Sequence, residues 1–235
     1  RGFSAGTREM EEKVQERFGW TYAYPEALYT RSKFSVSELA LEGRAQKEYR
    51  VPLAVPVFDK PQNKENQGKS AFTGAERGTI LHKIMERIPF TAENKTVEEV
   101  ECFAERLVER EILTREEKES VDLSLVADFF RSELGQRACR ADRIFKETAF
   151  NLRKERGGES IIVQGTIDCF FREGGKWILL DYKSNYVREG AKIQELMDFY
   201  RPQLELYKEA LERIKGIEPD EVYLYFFLLG KAYRL

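Results

Sequence analysis

The spacing of apolar positions changes partway along the chain. In the first part it is helical: "GTILHKIMERI" sets Leu81, Ile84, Met85 and Ile88 on one stripe, the pattern of an amphipathic helix. Residues 8–18 read as a short polar helix, and "RSKFSVSEL" offers Ser35 or Ser37 as a helix cap. Two capping boxes follow. Thr96 with Glu99 opens a helix through about Glu111, Thr114 with Glu117 opens the next, and a further helix ends near Gly135. Residues 60–70, "KPQNKENQGKS", carry almost nothing apolar and read as a mobile loop.

From Arg143 onward the pattern is that of strands. "RIFKETAFNLRK", "SIIVQGTIDCFF" and "KWILLDYKSNY" are three strands, the last two joined by "REGGK". "RPQLELYKEALERIKG" is a helix with Pro202 in its first turn and Gly216 as its stop. "EVYLYFFLLGKAYRL" closes the chain as a buried strand or a hairpin. A helical half, three strands, a helix and a last strand predict an α/β (α+β) fold, with a mixed central sheet flanked by helices. Residues 1–235 are expected to be a single domain, with 96–135 a helical insertion.

The hairpin raises a chemical question. With Gly174 and Gly175 as the central turn residues, counting back equally along both strands puts Asp168 opposite Asp181. Like charges directly opposite on a sheet repel, and their Cβ atoms stand roughly 5 Å apart, close enough to share a cation. Alternation puts Lys183 on the same face as Asp181. Two carboxylates and an ammonium on one patch suit Mg²⁺, which takes carboxylates, water and phosphate oxygens. Such an ion polarises a phosphodiester and acidifies water, while a lysine steadies charge building at phosphorus. The carboxylates would keep Lys183 protonated, which favours electrostatic stabilisation over general-base work. A bare D-x-K otherwise reads as a surface ion pair.

Composition narrows the choice. Among 235 residues, 42% are hydrophobic, enough for a sizeable core, and 34% are charged, as long solvated helix faces require. The net charge of −2 lacks the basic excess usual in nucleic-acid binders. No run of about 18 apolar residues occurs, so no membrane span is expected. Three scattered cysteines (Cys102, Cys139, Cys169) without a CxxC suit a reducing, intracellular setting and offer neither a disulfide framework nor a zinc site. The abrupt start at Arg1 suggests a piece of something longer.

These residues resemble a known family. "GTIDCFF" followed by "WILLDYKS" is similar to the core of the PD-(D/E)xK nucleases. "GTILHKIME" resembles the G-x-x-x-H helix of their RecB-like branch, and "QLELY" (203–207) its Q-x-x-x-Y motif. "RFGWTYAYPEALYTRSKFSVSEL" resembles the stretch entering the nuclease domain of the AddA family, components of ATP-dependent helicase–nucleases that process double-strand DNA ends. The resemblance runs from about residue 20 to 235 and is weakest over 96–135.

That resemblance implies a metal-dependent DNA exonuclease domain with a mixed sheet flanked by helices. His82, Asp168 and Asp181 would ligate Mg²⁺ or Mn²⁺ through their side chains, and Tyr182 through its carbonyl. Lys183 would stand beside the attacking water and the scissile phosphate. Gln203 and Tyr207 would line the site, contacting DNA or bracing the ligands, and Glu147 would at most support it from the neighbouring strand. Alone, His82 would read as a core-edge residue and Gln203 and Tyr207 as an ordinary helix face. Gly165 reads as a bulge or a close approach. Arg188, Lys192 and Arg201 are candidates for tracking phosphates. Three scattered cysteines do not match the iron–sulfur cluster of some relatives, so none is expected. No GxxxxGK[ST] loop occurs, so ATP chemistry would lie upstream of Arg1. The implied partners are single-stranded DNA and a second, AddB-like subunit, in the bacterial cytoplasm. A non-catalytic module that docks a partner or recognises DNA is the alternative, and a stand-alone exonuclease a third.

Overall fold

The computed structural model describes residues 10, 13–14, 32–45, 72–91, 95–156, 158–184 and 193–235. The loop expected over 60–70 and most of the helix expected over 8–18 lie outside them. The described strands are β1 (Lys33–Ser35), β2 (Arg143–Arg156), β3 (Glu159–Glu173), β4 (Lys176–Lys183), β5 (Glu221–Phe226) and β6 (Lys231–Arg234). The helices are α1 (Val36–Ala45), α2 (Gly74–Arg87), α3 (Val97–Glu109), α4 (Arg115–Glu119), α5 (Ser124–Arg131), α6 (Glu133–Cys139) and α7 (Ile193–Lys215).

All six strands share one mixed sheet. β2–β3, β3–β4 and β5–β6 pair antiparallel, whereas β1–β3 and β4–β5 pair parallel. A parallel neighbour requires a crossover, and α7 supplies it between β4 and β5. Helices cover both faces, so apolar side chains are buried on both sides of the central strands. On one face Phe171, Leu180 and Tyr225 pack with Ile84, Val126 and Phe129 of α2 and α5. On the other, Phe170, Leu179 and Leu224 pack with Leu204 and Leu211 of α7 and Val36 of α1. No described helix is long and apolar enough to cross a membrane.

The capping boxes at Thr96 and Thr114 form as expected, and Thr73 with Glu76 makes another ahead of α2. Ser35, not Ser37, caps α1: its Oγ accepts from Glu38 N–H at 3.2 Å, and its own N–H donates to Glu38 Oε2 at 2.8 Å. Two expectations are corrected. Gly135 does not end a helix but lies inside α6, whose N-cap is Ser132. The missing side chain matters there because a Cβ would collide with the Phe129 carbonyl of α5. Pro202 is not in a first turn, because α7 begins at Ile193. Leu196, Met197 and Tyr200 are buried upstream of it. Burying each contributes about 1.5–3 kcal/mol, which together exceeds the roughly 3 kcal/mol a proline costs inside a helix. Gly216 ends α7 as expected, with φ 64°.

Arg137, on α6, ties the helical layer to two strands. It donates to Glu173 at 2.6 Å, to Glu221 at 2.9 Å and to Tyr223 Oη at 3.3 Å. The guanidinium draws the Glu221 carboxyl from 4.5 down to about 2, against a smaller opposing effect of burial. A lowered carboxylate pKa gives stability that is present above the ordinary value and lost as pH falls through the lowered one. Replacing Glu221 by Gln should therefore cost about 1.5–3 kcal/mol in urea unfolding at neutral pH. The gap to wild type should narrow between pH 4.5 and about 2.

Candidate active site

The site forms where the sheet is interrupted. β2 covers one edge of β3 along almost its whole length. β1 and β4 share the other edge, β1 pairing with 162–164 and β4 with 169–173. Residues 165–168 fall in the gap between them. Gly165 is a close approach, not a bulge: a Cβ there would stand 2.5 Å from Val36 Cγ2 and 2.9 Å from the Phe150 ring.

On the β2 side the ladder pairs Lys146 with Cys169 and Thr148 with Ile167 but skips the rung between, Glu147 and Asp168. Glu147 has φ 43°, a left-handed conformation that costs a non-glycine residue about 1–3 kcal/mol. Both strands lose side-chain alternation at this rung. Phe145 stacks on Phe170, whose core also holds Phe150 and Leu152 from the other parity of β2. Ile167 and Phe170, three apart, likewise share that core.

The released rung turns both carboxylates toward α2. Asp168 Oδ1 lies 3.5 Å and Glu147 Oε1 3.7 Å from His82 Nδ1. One ligand atom from each of the three residues lies within 4.8 Å of the other two, a set able to hold a metal ion. His82 reaches it from α2, whose Ile80, Leu81, Ile84 and Met85 are buried. One turn earlier, Gly78 lets the helix lie against Ser184, since a Cβ would meet the Ser184 hydroxyl. Burial works against the His82 imidazolium, but Asp168 and Glu147 outweigh it and raise its pKa to about 10.

The hairpin register runs as expected from Glu173–Lys176 to Cys169–Leu180 and stops there. The expected rung of Asp168 opposite Asp181 is not a ladder pair. The strands part, and Tyr182 N–H donates to Asp168 Oδ2 at 2.8 Å instead of to a main-chain carbonyl. Asp181, only 1% exposed, stands beside Lys183, with Oδ2 2.6 Å from Nζ. Nζ also donates to Gln203 Oε1 at 3.0 Å and lies 4.4 Å from the centre of the Tyr200 ring. Gln203 Nε2 donates to Asp181 Oδ1 at 3.3 Å and to Tyr207 Oη at 2.8 Å. Burial pushes the Asp181 carboxyl upward, with Lys183 opposing and Asp168 adding. Burial also disfavours the Lys183 ammonium, but Asp181 more than compensates and its pKa rises.

The structure thus brings His82, Asp168 and Glu147 into one group and Asp181, Lys183, Gln203 and Tyr207 into an adjoining one. Glu147, expected at most to support the site from outside, stands inside the first group. The sequence held a sign of it: counting back equally from the Gly157–Gly158 pair puts Glu147 opposite Asp168. The Tyr182 side chain is buried, edge-on to the His82 ring at a centroid distance of 5.9 Å. Cys169 is core, and burial pushes its thiol up to about 12. Arg201 bonds Asp198 on its own helix at 3.3 Å, while Arg188 and Lys192 lie outside the described residues.

Comparison with known proteins points the same way. Residues 33–232 match the PD-(D/E)XK nuclease superfamily. An ATP-dependent helicase/nuclease subunit of Alkaliphilus oremlandii is 33% identical over 242 residues, covering 99% of this chain and 20% of its own length. The protein of the same name from Anoxybacillus flavithermus is 36% identical over 225 residues, covering 93% of this chain and 18% of its own. The chain spans about a fifth of the length of these curated relatives. The solved structure of SSO0001 aligns over 99% of this chain and 76% of its own at 12% identity, with a TM-score of 0.35, too low to carry weight.

The raised His82 pKa has a measurable sign. A basic group with a raised folded-state pKa contributes stability below its ordinary value that is lost as pH rises through the raised one. In EDTA, wild type should lose stability between pH 6.5 and about 10 relative to His82→Gln. Parallel curves in thermal unfolding would show that the two carboxylates do not hold the extra proton.

Proposed function

The chain belongs to the PD-(D/E)XK nuclease superfamily, and from that premise we propose that it hydrolyses DNA phosphodiesters with a divalent ion, Mg²⁺ or Mn²⁺. Its substrate is a single strand fed by a helicase and cut exonucleolytically. The observation that carries this reading is the adjoining pair of groups: imidazole and carboxylates in one, a buried carboxylate and its lysine in the other.

The residues present suit such an ion. Asp181 is buried, and its Oδ2 lies 2.6 Å from the Lys183 ammonium. His82, Asp168 and Asp181 would hold the ion through their side chains and Tyr182 through its carbonyl. When bound, the ion supplies Lewis acidity and a more acidic water. Lys183, kept as an ammonium, meets the negative charge that develops on the phosphoryl oxygens. Gln203 fixes both Asp181 and Lys183, so that neither turns away when substrate enters. Tyr207 in turn holds Gln203.

The 235 residues act as one nuclease domain, with ATP-driven unwinding encoded elsewhere in the protein and a second, AddB-like subunit completing the complex in the bacterial cytoplasm. This rests on similarity to the helicase/nuclease relatives. The net charge of −2 supports delivery by a motor over tight DNA binding by the domain alone, because tethering substitutes effective concentration for affinity.

Wild type should shorten end-labelled single-stranded DNA only when Mg²⁺ or Mn²⁺ is added. Lys183→Ala should slow cutting by about 10²–10³-fold, the usual loss when a transition-state stabiliser is removed. Asp181→Ala should be slower still. Undiminished cutting by both variants would end this assignment. Absence of both cutting and metal binding in wild type would leave a docking module. Gln203→Ala, with Lys183 and Asp181 intact, should lower kcat more than it raises KM in gel-based kinetics.

A further inference from the structure

Building on the metal-dependent reading above, we propose that Lys146 is a positioning residue for His82. It anchors the last turn of α2 to the sheet and so fixes where the imidazole stands. The helix end needs a donor from outside. Met85 C=O would ordinarily receive the N–H four residues on, but that residue is Pro89, which has none. Ile88 is the C-cap, so its carbonyl also lies beyond the helical ladder. Lys146 Nζ donates to both, to Ile88 O at 2.8 Å and to Met85 O at 3.2 Å. The aligned peptide dipoles favour a cation at this end of a helix. Nζ also lies 4.9 Å from the centre of the Phe90 ring, which packs against Phe129 and Phe130 of α5.

An ordinary cap would do no more than hold the helix end. This one comes from the strand that shapes the site. Lys146 pairs with Cys169, the rung beside the one that β2 and β3 skip. The left-handed backbone at Glu147 cancels alternation, so neighbours in sequence reach the same helix, Lys146 its end and Glu147 its histidine. His82 stands about one turn before Met85 and one turn after Gly78, which lets α2 lie against Ser184. The stretch that carries the imidazole is thus held at both ends, by Lys146 of β2 and by the contact just past β4. A slide of the helix end would carry Nδ1 away from Asp168 Oδ1 and Glu147 Oε1, now 3.5 and 3.7 Å from it. The Lys146 ammonium is committed to main-chain carbonyls, so it acts on the site through the helix.

His82 is the single histidine of the chain, so correlations between ring protons and ring nitrogens of ¹⁵N-labelled protein report on that imidazole alone. The test records them in EDTA for the whole chain, as wild type and as Lys146→Met, with Mn²⁺ affinity measured alongside by electron paramagnetic resonance. Methionine keeps the apolar stem and loses the donors. Lys146→Met should move the His82 peaks without metal and weaken Mn²⁺ binding about 10–100-fold, the usual loss when a group that orients a ligand is removed. Glu221→Gln, which loosens the Arg137 contacts on α6, should melt lower than wild type and leave the His82 peaks in place. Should Lys146→Met not fold, Lys146→Gln takes its place with the same expectation. Unmoved His82 peaks in a folded variant without the ammonium overturn the proposal. So do wild-type Mn²⁺ affinity in that variant and peaks moved equally by Glu221→Gln. The metal-dependent reading fails separately. A wild type that binds no Mn²⁺ ends that reading, and His82 peaks that still move in Lys146→Met leave the positioning role standing.

Discussion

Three carboxylates, Glu147, Asp168 and Asp181, converge where β3 and β4 part, and their mutual repulsion is the constraint the surrounding structure answers. Two cations are set against them: His82 from one helical layer and Lys183 from the strand end. Each carboxylate has a defined neighbour. Asp168 takes a backbone N–H and faces the imidazole, Asp181 faces the ammonium and Gln203, and Glu147 faces His82. Removing either cation would leave partly buried negative charge uncompensated, which proteins tolerate poorly. The raised pKa values of His82 and Lys183 express that balance from the cations' side.

Geometry makes the convergence available. β3 is long enough to carry two partners end to end on one edge, and the space between them exposes a stretch of strand without a neighbour there. In a continuous sheet Asp168 would be one more ladder residue. Here its carboxylate replaces a main-chain acceptor for Tyr182 and so caps the parting strands. The missing Cβ at Gly165 lets α1 close in on that stretch, and the one at Gly78 lets α2 lie against Ser184 just past β4.

Much of this was legible in the sequence because it is local. The capping boxes, the Gly174–Gly175 hairpin and the Gly216 stop follow from neighbouring residues. The motifs alone place His82, Asp168, Asp181, Lys183, Gln203 and Tyr207 in one neighbourhood. What escaped depends on distant contacts. The three-residue β1 is a strand because β3 offers an edge to it. The first turns of α7 persist through Pro202 because Leu196, Met197 and Tyr200 have a sheet to cover. Glu147 is half legible: equal counting from the Gly157–Gly158 pair sets it opposite Asp168, but its approach to His82 depends on a helix distant in sequence.

The site also draws on both layers. His82 arrives from α2 on one face of the sheet, Gln203 and Tyr207 from α7 on the other, and the carboxylates from three strands between. No stretch that stops short of α7 holds all of them, and α7 itself lies against a sheet that includes the last strands of the chain. A growing polypeptide would therefore carry the whole constellation only after α7 and the strands it packs on have been made. Completeness of the fold and competence of the site become one event, and a fragment, a truncation or a half-folded intermediate is disarmed by its own topology.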